Sequence, residues 1–480
     1  MKIKLPFLIL FALLSSLSFA QTYPALNMSM LSLTNPETDN TGFDGRRYSG
    51  CWGWHQVAKG KEYALVGSSA KTYFIDVTNP LSPVICDSVM GARAGCTWRE
   101  LKTYQNYCYI VSDDAAPNSF QIVDMQYLPD SVHVVHDGIT SFERGHTLWM
   151  DGDKMYVGGI TYSTSTTENM AIFSLATPTA PVQLRLLSQD YPSIGYVHDM
   201  FVLNDTIYAS CGNQGLYVFK YNTAGNTFTQ LGSLAGYAEA GYNHSSYITS
   251  NRQTLVFCDE VPTGLSIKIA DVTNLSNITL SALTKPNSNT QMVAHNPYVL
   301  GNNYAFVSCY QDGLFLYDIS SPATPTIAGY FDTHPQGGAN AGNNYGSTSY
   351  KGNWGAYPYL PSGVIIACDM QNGIFLLQAN AVTGSATSIK DRGNSIEANV
   401  YPNPASNSIY VSFVNPKSET YGLEITNVLG QIVHSENNSN DCTFPVTFKT
   451  IDVSDLESGT YILSIKAGEK QFQEKIIITN

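Results

Sequence analysis

One unit recurs along most of this 480-residue chain, and a chain built from such units has few folds open to it. The cleanest copy spans residues 294–325, AHNPYVLGNNYAFVSCYQDGLFLYDISSPATP. HNPYV reads as a short strand, the turn LGNN leads into YAFVSC, and the turn YQDG leads into LFLYDI. The proline-rich SSPATP corner then opens a fourth strand, TIAGYF. The opening strand is found again at Trp54 (WHQVA), Trp98 (WRELK), His146 (HTLWM), His198 (HDMFV), His244 (HSSYI) and Ala356 (AYPYL), which with His295 makes seven copies. Steps of 44, 48, 52, 46, 51 and 61 residues match a four-stranded blade and exceed most helical-repeat periods. The pattern predicts an all-β chain with a seven-bladed β-propeller over residues 21–378.

Ahead of the repeats, MKIKLPFLILFALLSSLSFA carries Lys2 and Lys4, an apolar run, and Ser18-Phe19-Ala20 as a small-x-small cleavage site, so residues 1–20 read as a secretion signal. Only 13% of residues are charged while 12% are aromatic, as suits many short strands. The net charge of −13 falls to −15 when Lys2 and Lys4 leave, which argues against nucleic acid as a partner. Of the nine cysteines, Cys211, Cys258, Cys309 and Cys368 end the second strand of successive units and are expected to be separated, buried thiols. Cys51 and Cys96 each stand just before an anchor of adjacent units and form the candidate disulfide.

Residues 23–36 resemble an outer-strand segment, whereas the seventh unit ends at GIFLLQ with no fourth strand of its own. The N-terminal segment is expected to supply that strand, closing the ring and removing a sheet edge. Residues 379–396 are small, polar and aperiodic, a linker. Residues 397–480 then give about seven short alternating strands, the pattern of a small Ig-like β-sandwich.

Two family resemblances stand on these residues. The third strands TYFIDVTNPLSP, SFQIVDMQYLPD, IKIADVTNLSN and LFLYDISSPATP, each an apolar strand ending in Asp before a turn, resemble the LVIVD repeat, and the arrangement from Cys51 to Leu377 resembles the exported "choice-of-anchor B" family. Physically, the Asp can bond the following turn while proline ends the ladder. The tail, with Tyr401-Pro402-Asn403-Pro404, the turn Asn427 to Gln431, Gly459-Thr460-Tyr461 and a terminal strand bearing Lys470 and Lys475, resembles the C-terminal sorting domain of the type IX secretion system of Bacteroidetes. That resemblance implies Sec export through the periplasm, engagement of the type IX machinery, removal of the domain at the cell surface, and often transfer of the passenger to a surface lipopolysaccharide anchor.

His146, His198, His244 and His295 share one template position in four consecutive units, so a propeller would bring them together near its axis. Neutral imidazoles gathered in this way can hold a divalent transition metal such as Zn²⁺, Fe²⁺ or Cu²⁺. The alternative is architectural, each histidine bonding the backbone or an Asp of the next blade. Glu100, Asp199, Asp259-Glu260 and Asp369 lie close to anchors or second-strand cysteines, where they can orient histidines, act as acid and base in hydrolysis, or simply cap turns. No nucleophile elbow or phosphate-binding loop stands in a suitable context. These features point to an exported surface or secreted propeller that binds an extracellular ligand or acts as a scaffold; a metal-dependent enzyme centred on the histidines is the competing class.

Overall fold

The computed structural model describes residues 22–39, 41, 45–114, 116–336, 350–380, 396, 398–401, 405, 408–414, 420–427, 430–438, 446–468 and 470–479. The proposed signal (1–20) and most of the linker (381–395) lie outside the described residues, as do Pro402, Asn403, Pro404 and Cys442. The described chain is all-β, with short 3-10 turns, and none of its helices is long and apolar enough to cross a membrane.

Among the described residues up to Ala379 the strands form seven antiparallel sheets that succeed one another as propeller-like blades. Each runs up and down through four strands. In the first sheet these are Tyr48–Gln56, Lys61–Ser68, Lys71–Asp76 and Val84–Met90. Second strands such as Lys61–Ser68 and Thr254–Asp259 are buried almost throughout because sheets cover both faces, which is why they read as continuous apolar runs. Outer strands such as Val84–Met90 are largely exposed and correspondingly mixed in sequence. The predicted corner chemistry is present: the carboxylates of Asp76, Asp124, Asp271 and Asp318 accept the backbone N–H two residues on, at 2.9–3.0 Å.

The N-terminal segment does complete the seventh sheet. Met28–Thr34 pairs antiparallel with Gly373–Ala379, outside Ile365–Asp369 and Asn353–Tyr357. Its pairing carries a register shift between Met30 and Ser32, and every other sheet has one between its third and fourth strands, as at Phe74/Ile75 and Leu316/Tyr317. A bulge at this place sharpens the twist of each outer edge. The N-terminal strand therefore stands in for a fourth strand in detail. Just before it, Ala25–Leu26 adds a fifth strand to the sixth sheet against Thr326–Phe331.

First strands lie against first strands from the first sheet to the sixth; the second strand of the sixth, Tyr304–Ser308, lies against Asn353–Tyr357 of the seventh, which in turn lies against Tyr48–Gln56 of the first. The close approach is visible at Gly50, where a Cβ would meet the Arg99 carbonyl oxygen at 2.5 Å. Aromatic N–H groups pin the same seams: Trp54 Nε1 donates to Gln105 O at 3.0 Å and Trp149 Nε1 to Val202 O at 2.9 Å.

The expected Cys51–Cys96 bond is corrected by the structure, in which both are free thiols. Cys51 lies within the strand Tyr48–Gln56, where its thiol neighbours that of Cys368 in the seventh sheet, while the Cys96 thiol turns to the carbonyl of Trp98 at 3.4 Å. Cys211, Cys258, Cys309 and Cys368 are buried free thiols, as the repeat requires.

The tail holds its strands in a three-stranded and a four-stranded sheet. Ile409, Val411, Phe413 and Ile451 of one sheet share an apolar core with Leu423, Ile425, Leu463 and Ile476 of the other. Tyr401 ends the strand Ala398–Tyr401, and Gly459 opens Gly459–Ala467. The Tyr461 hydroxyl donates to Glu457 O at 2.8 Å, and Lys475 is exposed on Lys470–Ile478.

Candidate functional site

Four equivalent residues of consecutive sheets meet side by side. The rings of His146 and His198 are 4.1 Å apart between centroids, His198 and His244 4.2 Å, and His244 and His295 4.2 Å, each tilted about half a right angle from the next. Their placement follows from the repeat. The backbone N–H groups of His146, His198 and His295 donate to second-strand carbonyls, those of Gly158, Ser210 and Ser308. Trp354 continues the arc, 4.3 Å from His295, and Trp98 stacks on Trp354 at 4.9 Å. At the corresponding point the first sheet has Ser49 and Gly50 within a register shift, so Trp98 reaches Trp354 directly.

This corrects two anchors. The ring position of the seventh sheet belongs to Trp354, two residues before Ala356, and that of the first sheet falls at Ser49 and Gly50, ahead of Trp54. In both strands a register shift near the axis displaces the apolar pattern from the backbone equivalence. Asn353 pairs with Asp369 and Gly355 with Cys368, leaving Trp354 as the bulged residue.

The architectural role weighed for the histidines is present in the hydrogen bonds. His198 Nδ1 donates to His244 O at 3.0 Å, and His295 Nδ1 donates to Trp354 O at 2.6 Å, each reaching the backbone of the next sheet. His146 instead pairs its Nδ1 with the Asp113 carboxylate. These differences divide the arc electrically. Burial alone would lower the His146 pKa, but the charge and hydrogen bond of Asp113 outweigh it and raise it to about 9. Burial drives His198 and His244 well below the ordinary imidazole range, and His295 to about 3, with further lowering by the other histidines of the arc. One cation thus sits at the end of a row of three neutral rings.

A second arc of aromatic residues packs on the first. Tyr242 meets His198 edge-on at 5.3 Å, Tyr310 lies 4.6 Å from His295, and Arg46 sits 5.2 Å over Trp98 and 5.0 Å over Tyr350. Between these layers lies Glu260. Its Oε1 accepts from the Tyr310 hydroxyl at 2.7 Å, and its Oε2 is 3.7 Å from His244 Nε2. Burial raises its carboxyl above the usual range.

The histidines and Trp354 also line a cavity of about 50 Å³, room for a few waters. Its walls add Glu100, Lys102, Asp199, Ser245, Asn296 and Tyr298. Lys102 Nζ stands 3.8 Å from Glu100 Oε2 and 4.2 Å over the Trp52 ring. Glu100 Oε1 in turn accepts from Trp354 Nε1 at 3.0 Å. Trp52, Trp149 and Tyr247 separate this polar chamber from a second, apolar one of about 90 Å³ that reaches Phe201, Val299 and Tyr359.

The carboxylates singled out by sequence take different parts. Glu100, Asp199 and Glu260 are at the site. Asp259 is bound to Lys268 at 3.0 Å within the fifth sheet, and Asp369 caps the turn at Gln371 and Asn372. Lys102 and Tyr310 were not singled out; both stand in strand or turn positions with no sequence mark of their own.

The tail, residues 399–479, matches the model of the secretion system C-terminal sorting domain. The chain therefore carries a type IX sorting tail that directs it to the cell surface or the extracellular space and engages the type IX machinery. No curated protein matches the chain. Among solved structures it is similar to PorZ, a bacterial surface component of the type IX secretion system of Porphyromonas gingivalis, at 10% identity and a TM-score of 0.39, covering 87% of this chain and 64% of PorZ. It is also similar to a putative 6-phosphogluconolactonase from Bacteroides uniformis (10% identity, TM-score 0.46, covering 80% and 96%) and to the N-terminal domain of Nup159 (11%, 0.45, 75% and 96%). These are loose overall likenesses and say nothing of function.

Proposed function

We propose that the chain is an exported seven-bladed β-propeller that works as a binding or scaffold module on the cell surface or outside the cell. The succession of sheet-to-sheet contacts, returning from Asn353–Tyr357 to Tyr48–Gln56, carries this reading, because it supports a closed ring with a chemically mixed cavity at its centre. Residues 1–20 serve as a signal for Sec export through the periplasm. The Asp-ended third strands associate residues 21–378 with LVIVD-repeat, choice-of-anchor B proteins. Residues 397–480 form an Ig-like sandwich whose recognition involves Tyr401, Pro402, Asn403, Pro404, Gly459, Tyr461 and Lys475, after which the passenger is released or joined to a surface lipopolysaccharide anchor.

In this reading the histidine arc pins blade to blade, and the ligand enters the axial chamber. Lys102, Glu100 and Asp199 offer charge of both signs there, and Trp52 and Trp149 offer an aromatic surface. Thermal-shift screening of the mature chain against cell-envelope saccharides and peptides tests this. A ligand that stabilises wild type and loses its effect in Asn296→Trp, which fills the chamber, supports an axial site. Equal stabilisation of both proteins removes it.

A further inference from the structure

We infer that His244, His295 and Glu260 form a binding site for one divalent transition ion of the Zn²⁺ class. This narrows the expected four-histidine centre to two of its members plus a carboxylate. It rests on the geometry of the arc and stands apart from the binding-module reading.

One ligand atom from each of the three residues lies within 4.8 Å of the other two, and all three side chains are buried. His295 is set up as a metal ligand is, while His244 keeps a buried Nδ1 with no hydrogen-bond partner among the described residues and turns its Nε2 toward Glu260. His295 Nδ1–H is spent on Trp354 O, so its Nε2 carries the lone pair, and that atom is buried with no partner among the described residues. A ring whose far nitrogen donates to a backbone carbonyl is the usual supporting arrangement of a metal-bound histidine. Glu260 is held the same way, with Tyr310 fixing Oε1 while Oε2 faces His244.

His146 is engaged by Asp113, and His198 stands outside the group whose ligand atoms lie within 4.8 Å of one another. Two imidazoles and one carboxylate are a common zinc donor set, with a fourth position left for water. His244 and His295 both line the axial cavity, which gives the ion a way in and the water a place. Arms of about 2.0–2.2 Å require the ligand triangle to contract around the ion.

The test uses untagged mature protein, stripped of metal and titrated with Co²⁺ and then Zn²⁺. The expected result is one ion per chain, with the intense visible absorption of four- or five-coordinate cobalt, displaced by Zn²⁺. His295→Gln and Glu260→Gln should abolish that spectrum. Tyr310→Phe should weaken affinity roughly 10- to 100-fold, the usual effect of removing a group that orients a ligand. His434→Gln, in the tail, should leave the spectrum unchanged. Absence of saturable 1:1 binding by wild type overturns the site, as does binding that survives both His295→Gln and Glu260→Gln. If either glutamine variant does not fold, the wild-type spectrum and Tyr310→Phe decide: an octahedral spectrum or an unchanged affinity overturns the site.

Discussion

Trp98 and Trp354 stack at 4.9 Å with their planes 22° apart, although one belongs to the second sheet and the other to the seventh. The contact exists because the first sheet, between them, contributes Ser49 and Gly50 where the others contribute a ring. The small residues of one sheet thus let the arc pass from the seventh sheet to Trp98 of the second, and Trp354 Nε1 ties this junction to Glu100.

Trp354→Ala should be among the most damaging single changes. Trp354 is 6% exposed and touches His295, Trp98 and Tyr310, so its removal leaves a cavity at the meeting point of several sheets. Loss of a buried tryptophan costs about 3–5 kcal/mol. Chemical denaturation should show a loss of that size, and Trp354→Phe should recover part of it. A loss within the range of ordinary surface substitutions would mean that the junction contributes little.

Removing residues 22–36 should expose the Gly373–Ala379 edge of the seventh sheet, which Met28–Thr34 covers along its whole length. An uncovered edge offers unpaired N–H and C=O groups to another chain. The truncated protein should melt earlier and elute as oligomers or aggregate. An unchanged melting temperature with a monomeric profile would show that the segment is a dispensable arm.

The pH dependence of stability should carry the mark of His146. Its folded pKa is about 9, against an ordinary 6.5, so the folded state holds the proton more tightly than the unfolded chain. The stabilisation it contributes is complete below about 6.5 and disappears as pH rises through 9. Melting temperature measured across this window should fall in wild type, and the fall should be shallower in Asp113→Asn, which removes the partner carboxylate. Parallel curves for the two proteins would deny the ion pair this role.

The parts of this architecture that were legible in sequence are those the repeat imposes. Each histidine stands at a fixed place before an apolar second strand, so the arc from His146 to His295 could be read from alignment of the units alone. The closing strand was legible for a related reason, since the seventh unit lacked a partner that residues 23–36 could supply. Trp354 was missed because register shifts slide the apolar pattern by a residue or two, and pattern matching follows apolarity. A steadier ruler was available: His244 to Cys258, His295 to Cys309 and Trp354 to Cys368 are all steps of 14 residues. The pairing of Cys51 was misjudged because closeness in sequence stood in for closeness in space, whereas a ring brings the first sheet against the last. Glu260 was visible as a carboxylate after a strand-end cysteine, yet so was Asp259. Only the alternation of side chains decides which of the two faces His244 and which faces Lys268.

Export should depend on the tail and folding should not. The apolar core of the tail is built from residues between Ile396 and Ile478, and the sheets before Ala379 complete their pairing without it. Deleting residues 396–480 therefore removes a self-contained core together with the sorting match at 399–479, and leaves both the histidine arc and the N-terminal closing strand in place. The truncated chain should be recovered from the periplasm in a protease-resistant form with the melting temperature of the mature protein, while full-length chains reach the surface or medium. Terminal sequencing of the exported product should place its end within residues 379–396, where cleavage would separate the two cores without cutting into either. Surface display of the truncated chain at normal levels would show that the tail is not the export address. Retention in an unfolded, protease-sensitive form would show that the tail also assists the fold.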